Sequence, residues 1–185
     1  MNPETIVLAS ASPRRRELLL AAGFAVEVRP AAVDETPLPG EPPAACVARL
    51  ARAKAWAVAA QPGEVVLGAD TTVVVDDVML AKPADDAEAA AMLRRLSGRG
   101  HQVLTGVCLR RGARQAEAVE ATEVWFDPLG EADIAAYVAS GEPRDKAGAY
   151  AIQGRAARFI PRIAGSYSNV VGLPIAAVWR LWRQL

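Results

Sequence analysis

The stretch Ser10-Ala11-Ser12-Pro13-Arg14-Arg15-Arg16 leads from an apolar strand directly into a helix. Ser12 fits the N-cap and Pro13 the first helical position, where a missing N–H costs nothing. Three arginines then crowd the first turn, the end where the helix dipole disfavours an exposed cation by ~0.3–1 kcal/mol. A bound anion reverses that sign, because free backbone N–H groups and guanidinium forks both donate to phosphate oxygens. The arginines could instead splay into solvent, but a phosphate site accounts better for three cations at one unfavourable end.

Lys54 shares a helix face with Val47, Leu50 and Val58. Either its stem snorkels to water or its ammonium enters a cleft and meets a negative ligand. The segment Val65-Val66-Leu67-Gly68-Ala69-Asp70-Thr71-Thr72 reads as an apolar strand that delivers a carboxylate and a hydroxyl at its carboxyl end. Open α/β sheets bind ligands at such edges. Asp70 there either holds a metal, accepts a proton from water, or simply caps a turn. Lys82-Pro83, after the next hairpin, brings a second cation to the same edge or is an ordinary solvated lysine. Residues 140–154 and 165–169 read as loops of small and polar residues. Within the first, Gln153 offers both an amide donor and a carbonyl acceptor, which reading a base edge requires.

The elements that must carry these groups alternate along the chain. Strands are expected at residues 5–9, 24–29, 64–69, 102–110 and 118–126, with a hairpin over 71–80 turning at Asp76-Asp77. Short strands are expected at 149–152 and 158–163. Helices are expected at 12–22, 44–60, 85–96, 130–139 and 173–185. Interleaved strands and helices give an α/β class with a mixed twisted sheet and flanking helices. Hydrophobic residues make up 52% and aromatics 5%, so the core is aliphatic. At 185 residues, with no repeat or long linker, a single domain over 1–185 is expected.

Composition also excludes several chemistries. One histidine, His101, rules out a multi-histidine metal site, and a Ser-His-Asp triad would need that single ring. Cys46 and Cys108 make neither a disulfide framework nor a zinc site, and read as two small buried residues in a reduced compartment. Acids and bases cancel at 21 each, and only Lys54, Lys82 and Lys146 are lysines, which argues against a nucleic-acid partner. No run approaches the ~20 apolar residues of a membrane span, and no signal peptide is visible. A cytoplasmic protein without a membrane partner is the expectation.

Taken in order, these stretches resemble the Maf family of nucleoside triphosphate pyrophosphatases. The resemblance rests on Leu8-Ala9-Ser10-Ala11-Ser12-Pro13-Arg14-Arg15, Leu67-Gly68-Ala69-Asp70-Thr71, Lys82-Pro83 and Leu96-Ser97-Gly98-Arg99-Gly100-His101-Gln102-Val103. It continues through Asp145-Lys146-Ala147-Gly148-Ala149-Tyr150 and Gly165-Ser166-Tyr167-Ser168-Asn169-Val170-Val171-Gly172-Leu173-Pro174, and so spans nearly the whole chain. It implies a fold similar to the inosine triphosphate pyrophosphatases, with two lobes around a central cleft. It also implies hydrolysis of a nucleoside triphosphate to the monophosphate and pyrophosphate with a divalent cation, Mg²⁺ or Mn²⁺.

Carried over by position, the resemblance makes Asp70 the proton acceptor and Arg14, Thr71 and Gln153 specificity positions. It makes Ser10, Arg15, Lys54 and Lys82 phosphate-binding, and Glu35 an acidic position near the metal beside Asp70. The pattern from Asp145 to Gly154 resembles the branch acting on dTTP and UTP. Ala81 and Ala151 stand where the family usually has glycine. A homodimer is compatible with all of this. Competing readings are the 7-methyl-GTP branch, a nucleotide-binding regulator of septum formation without turnover, and a nucleic-acid module built on the arginine-rich helix start.

Overall fold

The computed structural model describes residues 5–185. A seven-stranded mixed sheet has the order β2-β1-β3-β5-β6-β7, with β4 paired to β3. Its strands are β1 (Thr5–Leu8), β2 (Ala25–Val28), β3 (Val65–Val75), β4 (Val78–Leu80), β5 (Gly100–Arg111), β6 (Arg114–Trp125) and β7 (Arg162–Ala164). β1 runs parallel to β2 and to β3, whereas β3–β4 and β6–β7 are antiparallel. Ile6, Val7 and Leu8 of β1 are all buried, as expected of a strand covered on both faces.

The helices are α1 (Pro13–Ala21), α2 (Pro43–Ala57), α3 (Asp86–Leu96), α4 (Glu131–Ala139), α5 (Tyr167–Val171) and α6 (Ile175–Trp182). Local chemistry fixes their ends. The Ser12 side chain accepts from the Arg15 N–H at the start of α1, and Gly23, at φ 88°, follows its C-terminus. Asp85 caps α3, whose first turn carries Asp86 and Glu88 and whose last turn carries Arg94 and Arg95, matching the helix dipole. The β3–β4 hairpin turns on Asp76 and Asp77, both at positive φ, as a two-residue turn of this hand requires.

The chain forms two compact units. Among the described residues the first comprises 5–71, 105–120 and 172–185, and its core holds Ile6, Leu8, Leu19, Leu67, Leu109 and Leu173. The second comprises residues 72–104 and 121–171, with a core around Leu93, Leu96, Phe126, Tyr137 and Phe159. In the second core the His101 ring packs edge-on against Phe126 and Tyr150, and its Nε2 lies 2.8 Å from the Tyr150 hydroxyl. Burial pushes the His101 pKa down to about 4. That ring is structural.

Five sequence expectations change. β3 does not stop at Ala69 but runs on to Val75, so Asp70 and Thr71 lie in mid-strand. They are its only two half-exposed positions among buried neighbours. Residues 149–152 form no strand: a 3-10 turn over Ala147–Ala149 leads into a tight turn instead. Another 3-10 turn, Arg155–Phe159, takes the first two residues of the strand expected at 158–163, and the strand itself is Arg162–Ala164. Residues 165–169, expected as a loop, lead into α5, and Pro174 delays the terminal helix to Ile175.

Candidate active site

Two glycines set the position of the central ion pair. A Cβ on Gly68 of β3 would collide with the Ala51 carbonyl of α2, and one on Gly106 of β5 with the Val47 carbonyl. Helix and strands therefore meet backbone to backbone. Lys54 lies one helical turn beyond that contact. Its side chain is only 8% exposed, and its ammonium lies 2.6 Å from Asp70 Oδ1. Of the two readings of Lys54, the snorkelling one fails.

The same ammonium lies 2.7 Å from Glu35 Oε1. Glu35 stands on the proline-rich connection before α2, and its neighbours explain how an exposed loop keeps that reach. The Thr36 N–H donates to Asp34 Oδ1 at 2.9 Å, and Arg49 of α2 donates to the Thr36 carbonyl at 3.2 Å. Arg49 also pairs with Glu41 at 2.7 Å, which pulls the Glu41 carboxyl down to about 2. Thus α2 supplies Lys54 and also ties down the loop that brings Glu35 to it.

Arg15 brackets Asp70 along the strand. Its guanidinium donates to the carbonyl of Ala69 at 2.9 Å and to the hydroxyl of Thr71 at 3.1 Å, the residues on either side of Asp70. It donates further to Ser10 Oγ at 3.1 Å and to the Gly172 carbonyl at 2.9 Å. Desolvation lowers the Arg15 pKa, while the charge of Asp70 opposes that shift. Thr71 is equally engaged, with its hydroxyl 2.9 Å from that of buried Thr105 and 3.3 Å from the Gly172 carbonyl. The sequence reading gave Arg15 to phosphates and Thr71 to the base; the geometry ties both into the scaffold around Asp70. Ser10 also accepts from the Ser12 N–H at 3.2 Å, shaping the turn into α1.

The first unit thus gathers Ser10, Arg15, Glu35, Lys54, Asp70 and Thr71, with Arg14 half-buried in the first turn of α1. Lys82 and Gln153 belong to the second unit, and both are exposed on loops. Sequence reasoning missed Thr105, Gly106 and the structural weight of Gly68. Both glycines left a trace, each standing inside an otherwise apolar strand, whereas Thr105 left none.

Glu35 and Asp70 both contact the Lys54 ammonium, and each carries hard oxygen ligands as well. Among the described residues no cluster of three or more His, Cys, Asp or Glu could hold a metal ion. Two carboxylates fit Mg²⁺ or Mn²⁺, which commonly take one or two carboxylates and draw their remaining ligands from substrate phosphates and water.

A dTTP/UTP pyrophosphatase of Anaeromyxobacter dehalogenans is 57% identical over 183 residues, covering 97% of this chain and 93% of the relative. Another from Symbiobacterium thermophilum is 56% identical over 173 residues, covering 93% and 89%. Among solved structures, a HAM1 protein from Coxiella burnetii shares the fold, with a TM-score of 0.52 at 18% identity over 98% of this chain and 100% of that one. The family model described as Maf-like protein matches residues 5–185. The chain belongs to the Maf family.

Proposed function

We propose that the protein is a nucleoside triphosphate pyrophosphatase that hydrolyses dTTP and UTP to the monophosphate and pyrophosphate. The observation that carries this reading is the convergence of Asp70 and Glu35 on the Lys54 ammonium. It is supported by relatives at 51–57% identity that are dTTP/UTP pyrophosphatases. A protein that only bound nucleotide would have no use for a carboxylate pair where the phosphates must lie. Residues 1–185 serve as one Maf-like nucleotide pyrophosphatase domain.

In this mechanism Asp70 accepts the proton of the water that attacks the α-phosphorus. Lys54 offsets the repulsion between Asp70 and Glu35, and its third N–H remains for a phosphate oxygen. Arg14 and Lys82 add positive charge, worth most as charge develops on the leaving pyrophosphate. Ser10 lines the phosphate end, while Arg15 and Thr71 hold the strand that carries Asp70. A divalent cation held by Glu35 and Asp70 would supply further neutralisation of the triphosphate and make water more acidic.

Gln153 reads the base. Uracil and thymine present a carbonyl–NH–carbonyl edge that an amide meets in both senses, whereas cytosine reverses two of those groups. Each mismatch costs ~1–3 kcal/mol, roughly one to two decades in kcat/KM. Pyrophosphate release measured across dTTP, UTP, CTP, ATP, GTP and 7-methyl-GTP tests the proposal. The expected profile is led by dTTP and UTP; one led by 7-methyl-GTP, or a flat one, overturns it.

A further inference from the structure

The turn that carries Gln153 is held by side chains with no assigned role. Ala151 to Gly154 close a tight turn in which the Gly154 N–H donates to the Ala151 carbonyl at 3.0 Å, with Gln153 as its third residue. Upstream, the Ala151 N–H donates to the Tyr137 hydroxyl at 3.1 Å. That hydroxyl donates in turn to Glu142 Oε1 at 2.7 Å. Downstream, the Arg155 N–H donates to Glu142 Oε2 at 3.0 Å. One carboxylate therefore reaches both ends of a four-residue turn, directly at one and through a buried phenol at the other.

The surroundings commit Glu142 to this task. Tyr137 is fully buried in α4, so the phenol cannot swing away. A Cβ on Gly154 would collide with both carboxylate oxygens of Glu142, so turn and carboxylate are packed as one piece. Gly154 lies outside the left-handed region at φ −108° but has ψ −149°, beyond the usual extended range, so the contact with Glu142 and the backbone conformation both favour the glycine. Burial opposes charge on Glu142, but the N–H donors of Arg155 and Ala156 and the Tyr137 hydroxyl outweigh it and hold the carboxyl below its usual range.

We propose that Glu142, acting with Tyr137, is a positioning residue for substrate selection: it fixes the 151–154 turn so that the Gln153 amide is presented in one orientation. This rests on the reading of Gln153 as the base-reading residue. A hydrogen-bonding amide discriminates only if held; on a loose turn it can pair with cytosine as readily as with uracil.

The experiment compares kcat and KM for UTP and CTP in the wild type and in Glu142→Gln, Gly154→Ala, Gln153→Ala and the Glu142→Gln/Gln153→Ala double variant. Glu142→Gln places an amide N–H₂ against one of the donors it now accepts from. Gly154→Ala displaces the carboxylate while leaving Glu142 in the chain, so a folding failure in one variant leaves the other to decide. Each is expected to lower the UTP-to-CTP ratio of kcat/KM by about tenfold. The effect should fall mainly on KM, with kcat for UTP within about threefold of wild type. The double variant should discriminate no worse than Gln153→Ala alone, since a merely structural loss would add to it. If Gln153→Ala leaves the ratio unchanged, the reading of Gln153 itself fails. If Gln153→Ala lowers it while Glu142→Gln and Gly154→Ala do not, or if the double variant is additive, the positioning role is refuted.

Discussion

Arg14 and Arg15 are neighbours in one helical turn, yet their truncation should have opposite signatures. Arg15→Ala deletes the donors to two backbone carbonyls, Ala69 and Gly172, each at 2.9 Å, and to the hydroxyls of Ser10 and Thr71, each at 3.1 Å. The hydroxyls keep other partners, Ser12 N–H and Thr105, and the Gly172 carbonyl still accepts from the Thr71 hydroxyl at 3.3 Å, so the Ala69 carbonyl decides the cost. An orphaned polar group costs ~1–3 kcal/mol. Ala69 is buried, so water does not replace the lost donor and the upper part of that range applies, about 2–3 kcal/mol. For a chain of this size each kcal/mol moves Tm by about 2–4 °C, giving a fall of roughly 4–12 °C. Arg15→Lys keeps the charge but not the fork, and should recover less than half of the loss. Arg14→Ala removes a cation from the unfavourable end of α1, so Tm should stay within about 2 °C while kcat/KM for dTTP falls. Thermal unfolding followed by circular dichroism, alongside pyrophosphate release, separates the two. If Arg15→Ala melts with the wild type and loses turnover as Arg14→Ala does, the guanidinium serves the substrate and the hydrogen-bond argument is wrong.

Asp70→Asn should fold normally and lose at least ~10²-fold in kcat, the low end for a general base; near-normal turnover would end that assignment. Chelation should abolish pyrophosphate release, Mg²⁺ or Mn²⁺ should restore it, and Glu35→Gln should raise the metal concentration for half-activation; an unchanged metal dependence would remove Glu35 from the cation site. His101 has a folded pKa of about 4 against 6.5 unfolded, so between those values the unfolded chain binds more protons. Its contribution is therefore complete above pH 6.5 and is lost as pH falls toward 4, by about 3 kcal/mol in all. The Tm advantage of wild type over His101→Gln should narrow from pH 7.5 to 4.5; a constant gap would show that the ring does not titrate on unfolding.

The local code was legible where local groups decide the outcome. Ser12 and Pro13 start α1, Asp85 caps α3, and the Asp76-Asp77 turn sits where the residue types put it. The face shared by Val47, Leu50 and Lys54 was legible, but periodicity left open whether the lysine snorkels to water or turns inward, and what it meets. Asp70 stood out as a candidate and its setting was misjudged, because a carboxylate within a strand looks like a strand end until a lysine from another element is known to reach it. Nothing in three consecutive arginines tells which turns inward, since the acceptors for Arg15 lie 54 and 157 residues away. The turn around Gln153 reads as a strand for the same reason. Its small residues suit either state, and the groups that choose, Tyr137 and Glu142, belong to a preceding helix and the turn after it.

The glycines at 68 and 106 make the length of the Lys54–Asp70 pair a property of the main chain. No side chain lies between α2 and β3 there that could be enlarged or trimmed to retune it. Swapping Asp70 for glutamate, or Lys54 for arginine, would extend a group into a gap whose width is already set by touching backbones. The chemistry is consequently easy to abolish and hard to adjust by single substitutions. A laboratory lineage selected for a new leaving group or a new nucleophile should accumulate its changes on the loops bearing Glu35, Lys82 and Gln153. Where related chains keep both glycines, that constancy reports how tightly a helix is seated and says nothing about contact with the nucleotide.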